Sequence, residues 1–88
     1  MGKQQPSSEI GEIVRHFIRK NFLFSDDAVV ENEVSLLDTG IIDSTGIMEL
    51  VSFVEKRFNI RIEDVDLTAE NFDTVGRVVR YVERKRAS

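Results

Sequence analysis

Apolar residues recur at steps of three and four through Ile10, Ile13, Val14, Phe17 and Ile18, which puts them on one face of a helix over about residues 8 to 20. Pro6-Ser7-Ser8 supplies its start. The same period returns at Ile47, Leu50, Val51, Val54 and Phe58 and predicts a second helix from about 44 to 58, with Met48 and Phe53 widening its apolar arc and Asn59 as the left-handed residue that ends it. Ile60-Arg61-Ile62 reads as a brief extended link, and Leu67 to Phe72 as the place of one short helix. A last helix of about 74 to 85, capped by Asp73 or Thr74, turns Val75, Val78, Val79 and Val82 inward and Arg77, Arg80 and Glu83 outward. Valine is a weaker helix former than leucine, but the three-and-four period does not fit the alternation of a strand.

Between the first two helices lies a connection from roughly Asn21 to Asp43, too long for a default loop. Its apolar residues Phe22, Leu23, Phe24, Val29, Val30, Val34, Leu36 and Leu37 are expected to pin it to the body, and Ser25-Asp26-Asp27 is a candidate helical turn within it. The fold class that follows is all-α: a small four-helix bundle, three main helices plus one short one, with a long first loop. We expect a disordered tail over residues 1–7, one domain over 8–85 and a short tail over 86–88.

Composition narrows what such a bundle can do. Eighty-eight residues bury a small core but do not wrap a substrate and hold several catalytic groups in register, which favours a carrier, adaptor or binding module over an enzyme. The absence of cysteine removes disulfides and thiolate metal sites, and the single His16, on the outer side of the first helix, leaves no histidine cluster. The acidic run Glu63-Asp64-Val65-Asp66 lacks the turn glycine and terminal glutamate of a calcium loop and reads as solvated. No apolar run approaches the roughly 20 residues of a membrane span, and the polar first residues lack the apolar core of a signal peptide, so a cytoplasmic protein without membrane insertion is expected.

The net charge of −4 conceals an uneven distribution. Residues 25 to 73 carry thirteen acidic against three basic side chains, whereas both ends are basic. The middle should repel nucleic acid and attract basic partner surfaces, and Arg84-Lys85-Arg86 reads as a solvated end.

The candidate chemistry lies in Gly40-Ile41-Ile42-Asp43-Ser44, immediately ahead of the second helix. An exposed serine there is either an ordinary cap or a point of attachment for something anionic, since free N–H groups and the helix dipole both favour negative charge at that end. It is not an activated nucleophile: the elbow motif G-x-S-x-G needs a glycine where Ile42 stands, and no base is at hand.

An acidic residue followed by serine on the first turn of a central amphipathic helix, after Leu36-Leu37-Asp38 and Gly40 in a cysteine-free acidic chain, resembles the phosphopantetheine-dependent acyl and peptidyl carrier proteins over roughly residues 8 to 84. Within that resemblance Ser44 matches the serine that receives the prosthetic arm, and Gly40, Asp43, Thr45 and Gly46 match the attachment motif and its recognition by the modifying enzyme. Thr45 stands where the pattern has leucine, and Gly46 then costs about 1 kcal/mol of helix propensity relative to alanine. That departure, with Phe72-Asp73-Thr74, is more similar to free-standing carriers such as the D-alanyl carrier group than to the fatty-acid carriers.

The resemblance implies a 4′-phosphopantetheine arm on Ser44, added by a phosphopantetheinyl transferase from coenzyme A with magnesium, and an acyl or aminoacyl thioester on the arm's sulfur. It implies as partners that transferase, an adenylating acyl or aminoacyl ligase and downstream acyl-accepting enzymes, met by a monomeric carrier through Ile47, Met48 and Glu49. On this basis the phosphodiester is expected beside the N–H groups of Thr45, Gly46 and Ile47. Asp43 serves either capping or transferase recognition, and Met48 either core or partner contact. The alternative is a small acidic helical adaptor that binds a basic protein without a prosthetic group, with Ser44 as a simple cap.

Overall fold

A computed structural model of the chain describes residues 6–25 and 27–87, the side chains of residues 6–8 excepted. Four α-helices follow one another among these residues: α1 (Pro6–Ile18), α2 (Ser44–Phe58), the short α3 (Ala69–Phe72) and α4 (Val75–Ala87). The first helix therefore starts two residues ahead of the expected position, and the last runs two residues past it. Residues 1–5 of the expected N-terminal tail lie outside the described residues, as does Asp26 of the expected turn at Ser25-Asp26-Asp27.

The predicted apolar stripes form the core. Ile10, Val14 and Ile18 of α1, Leu50, Val51, Val54 and Phe58 of α2, and Val75, Val78, Val79 and Val82 of α4 are all buried. Four valines thus lie in a helix despite their modest propensity, because burying each against the bundle contributes about 1.5 kcal/mol or more, several times the propensity deficit. Helix α1 packs on α4 and α2, and α3 on α4.

The first helix does not stop where its pattern does. After Ile18 the backbone widens into a π-helical turn, Arg19–Leu23, closed by Phe24 in the left-handed region at φ 52°. That turn carries Phe22 and Leu23 against the core, so these two residues belong to the helix end and not to the free loop.

The loop is held by fewer apolar residues than expected. Val30, Leu36 and also Ile42 are buried, and Val34 is half-buried, but Phe24 and Val29 are 82% and 80% exposed, and Leu37 retains 37% exposure. Hydrogen bonds to the loop replace the missing apolar pins. Arg15 Nε donates to the Val30 carbonyl at 2.9 Å, and its guanidinium also bonds the Asn32 side chain. Gly76 N–H donates to the Asn32 carbonyl at 2.9 Å, an approach that a Cβ at Gly76 would crowd at 3.1 Å.

Helix ends follow local chemistry. Asn59, at φ 55° and ψ 50°, ends α2 as expected, and Ile62 N–H, in the link beyond it, donates to Glu55 Oε2 at 2.8 Å. Of the two candidate caps for α4, Thr74 takes the role: its hydroxyl accepts from Arg77 N–H at 3.0 Å, while Asp73 is occupied with the loop.

Tyr81, a polar-tipped residue outside the predicted valine stripe, is 1% exposed and packs on Phe72 at 5.2 Å between ring centres. Its hydroxyl donates to Asp66 Oδ2 at 2.7 Å, fastening the 3₁₀ turn Asp64–Asp66 to α4. The run read as a solvated acidic loop is thus tied down at Asp66. Burial first, then the bond to Asp66, pushes the Tyr81 pKa from 10.0 up to about 12. A folded pKa above the unfolded one means that this contribution is complete below pH 10.0 and is lost as pH rises through about 12. In urea titrations Tyr81→Phe should cost about 1 kcal/mol at neutral pH and should flatten the alkaline loss of stability, whereas equal alkaline slopes in both proteins would show that folding does not raise the Tyr81 pKa.

Candidate functional site

The segment before α2 is a closed hydrogen-bonded turn. Ser35 Oγ accepts from Asp38 N–H at 3.0 Å, Thr39 N–H and hydroxyl both donate to the Ser35 carbonyl, and Gly40 N–H donates to Leu37 at 3.1 Å. Gly40 sits at φ +78°, a backbone that a side chain would strain, and this lets the chain reverse toward α2. Ile42 N–H then returns to the Leu36 carbonyl at 3.1 Å, and the two buried side chains fix the height of the turn on the core.

Asp73, between α3 and α4, holds this turn from outside. Its carboxylate accepts from Ser35 Oγ at 2.6 Å and from Leu37 N–H at 3.0 Å, and its carbonyl accepts from Leu36 N–H at 2.7 Å. Sequence reasoning placed Asp73 as a possible helix cap and missed this clamp, because the partner lies 36 to 38 residues away.

At the end of the turn Asp43 is the N-cap of α2. Its carboxylate Oδ1 accepts from Gly46 N–H at 2.7 Å and its carbonyl from Ile47 N–H at 3.0 Å. Ser44 is consequently the first helical residue and not the cap. It is exposed, and among the described residues its hydroxyl has no hydrogen-bond partner. This corrects the expected anion cradle: the N–H groups of Gly46 and Ile47 are already taken by Asp43, which leaves those of Ser44 and Thr45.

Gly46, expected to be tolerated at a cost in propensity, is buried for a steric reason. A Cβ there would lie 2.8 Å from Ile42 Cγ2 and 2.8 Å from Phe22 Cε1. The π-helical turn that brings Phe22 in has no pattern in the sequence, so the requirement for glycine was not readable there. Ile47 is half-buried, packed against the core, while Thr45, Met48 and Glu49 stand exposed beside Ser44, Met48 at 50%. Met48 is therefore surface and not core.

No group of three or more metal-ligating side chains converges among the described residues, and none of their helices is long and apolar enough to cross a membrane. What the geometry offers is an unencumbered hydroxyl at the positive end of a 15-residue helix, with two N–H groups beside it. These groups fit a phosphodiester on that oxygen.

The family model for the phosphopantetheine attachment site matches residues 18–82. The chain belongs to that family of carrier domains. An acyl carrier protein of Thermotoga maritima is 37% identical over 60 residues, covering 68% of this chain and 72% of that protein. A D-alanyl carrier protein of Streptococcus pyogenes serotype M5 is 33% identical over 61 residues, covering 69% of this chain and 77% of its own length. The carrier domain carries an acyl or aminoacyl group on 4′-phosphopantetheine, is not itself a catalyst, and interacts with synthetases and transferases. The adaptor without a prosthetic group is not favoured.

Two opposed terms act on Gly46→Ala: alanine gains about 1 kcal/mol of helix propensity, and overpacking costs about 1–3 kcal/mol. Ile42 is 1% exposed and has nowhere to move, so overpacking should win. Equilibrium denaturation of Gly46→Ala should show a net loss of about 1 kcal/mol; a gain in stability would mean that Phe22 yields without cost.

Proposed function

We propose that Ser44 is the residue that bears the phosphopantetheine arm of this carrier domain. The observation that supports it is the division of labour at the start of α2: Asp43 takes the cap, and the Ser44 hydroxyl is left exposed and unbonded. In the loading step Ser44 Oγ attacks the phosphorus of coenzyme A next to the pantetheine, forming the Oγ–P bond as the pyrophosphate link breaks. Adenosine 3′,5′-bisphosphate leaves, and the serine proton passes to a base of the transferase. Once attached, the arm supplies the thiol that this cysteine-free chain lacks and holds cargo on it as a thioester.

The residues around Ser44 have distinct tasks in this reading. Asp43 fixes the helix start while its carboxylate is engaged by Gly46 N–H, which draws its charge away from the incoming phosphate. The free N–H groups of Ser44 and Thr45 and the helix dipole offset the phosphodiester charge. Gly40 sets the reversal that exposes the serine. Met48 and Glu49, with the exposed edge of Ile47, form the surface met by the phosphopantetheinyl transferase, the adenylating acyl or aminoacyl ligase and the acyl-accepting enzymes, methionine supplying adaptable contact and glutamate a charge for basic partners. A cytoplasmic, monomeric carrier completes the proposal.

Incubation with coenzyme A, magnesium and a phosphopantetheinyl transferase should raise the intact mass by one phosphopantetheine, and Ser44→Ala should abolish the gain. A gain retained in Ser44→Ala would place the arm elsewhere, and an unchanged wild-type mass with several competent transferases would overturn the assignment.

A further inference from the structure

The side chain that does least for the fold stands at the end of the π-helical turn. Phe24 closes that turn through its backbone alone: its N–H donates to the Arg19 carbonyl, and Ser25 N–H adds a longer bond to the same oxygen at 3.4 Å. Closure needs a left-handed residue, and at φ 52° glycine would serve with less strain than any side chain. The phenyl ring is 82% exposed and makes no ring contact among the described residues. A lone exposed apolar residue is ordinary. One that also occupies a position suited to glycine is explained neither by packing nor by capping.

Its place in the fold supplies a reason. Phe22, two residues earlier, lies against Gly46, where a Cβ would come 2.8 Å from Phe22 Cε1, and Gly46 is two residues past Ser44. Phe24 and Ser44 therefore flank one contact between the end of α1 and the start of α2. A protein interface of ordinary size covers about 800 Å² on each side, a patch about 30 Å across, and takes in both.

We propose that Phe24 is a specificity-determining contact for the phosphopantetheinyl transferase, seated in an apolar pocket of that enzyme with a basic rim. The proposal rests on Ser44 as the attachment residue. It applies to the transferase because that enzyme must bring its own active site to the Ser44 oxygen, whereas enzymes that act on the cargo meet a sulfur at the far end of a flexible arm. A side chain fixed beside Ser44 governs the first approach and has little hold on the second. The bonds to the Arg19 carbonyl already fix the backbone beneath the ring, so little freedom is lost when the ring docks.

The neighbouring residues set the charge of the pocket's rim. Asp27 and Glu31 are exposed, and Val29 between them is a second exposed apolar group on the same loop. Neither carboxylate has an ion-pair partner among the described residues. Of the cations on the turn itself, Lys20 lines the groove between α1 and α2 with His16 and Arg57, and Arg19 is half-buried. Phe24 is thus presented beside uncompensated negative charge, which basic side chains around the pocket would complement.

The test uses the transferase, among several tried with coenzyme A and magnesium, that has the lowest KM for the wild-type protein, and mass spectrometry first establishes one arm on Ser44. No gain in mass overturns the attachment assignment, a failure distinct from failure of the Phe24 contact. With coenzyme A saturating, Phe24→Gly should raise the KM for the carrier about tenfold, as loss of one interface anchor does, and leave kcat within about twofold. Its denaturation midpoint should equal or exceed that of the wild type, because relief of the left-handed backbone at φ 52° outweighs the extra freedom of unfolded glycine. Phe24→Leu, still apolar, should keep KM within about threefold of the wild type. Added salt should raise the wild-type KM, and Asp27→Lys should show a higher KM at low salt and a weaker response to salt. An unchanged KM in Phe24→Gly, a loss of kcat at constant KM, a lower midpoint, a Phe24→Leu protein as impaired as Phe24→Gly, or a wild-type salt response in Asp27→Lys would each overturn the proposal.

Discussion

The Asp43 carboxylate accepting the Gly46 N–H at 2.7 Å sets the start of α2, and the remaining features of the site depend on where that start falls. A cap contributes about 1 kcal/mol to the helix, but its larger effect here is positional. With the cap at 43, position 44 is the first helical residue, its hydroxyl is not needed by the backbone, and its side chain projects from the positive end of the dipole. One residue of slippage would turn Ser44 into the cap and occupy the oxygen proposed to bear the arm.

That position is over-determined by packing. Ile42, directly before the cap, is buried, and Gly46, three residues after it, admits Phe22 and Ile42 at distances that any side chain would forbid. The turn from Ser35 to Gly40 is in turn fastened to the α3–α4 junction by Asp73. A chain of contacts therefore joins α4, the long loop, the π-helical end of α1 and the start of α2. The loop behaves as part of the body at Val30, Leu36 and Ile42, and its exposed Phe24 and Val29 lie between those fixed points and the first helix. Rigidity at the proposed attachment residue and freedom in the attached arm are complementary requirements of a carrier, which must present one oxygen reliably to many enzymes.

What was legible in the sequence follows the range of the interactions involved. The stripes at Ile10-Val14-Ile18 and Leu50-Val54-Phe58, the Asn59 stop and the prominence of Asp43-Ser44 are set by neighbours within a few turns, and each was readable from spacing alone. Long-range features were not. The Asp73 clamp, the Tyr81–Asp66 tie and the contact of Phe22 with Gly46 join residues 15 to 38 positions apart and leave no periodic signal. Hydrophobicity alone also misjudged Phe24 and Val29, because loop residues are buried by where the chain is fastened and not by their own character. The resemblance to carrier proteins drew attention to the Ser44 oxygen, and the structure shows that oxygen exposed on the first helical residue with the cap taken by Asp43.

Asp43 and not Ser44 caps α2, and paired equilibrium unfolding of Asp43→Ala and Ser44→Ala separates the two roles. Asp43→Ala should lose about 1 kcal/mol or more, while Ser44→Ala, at a first helical position that alanine accepts, should stay within about 0.5 kcal/mol of the wild type. A Ser44→Ala protein destabilised as much as Asp43→Ala would contradict the account, because the serine would then be serving the helix and would not be free to bear an arm.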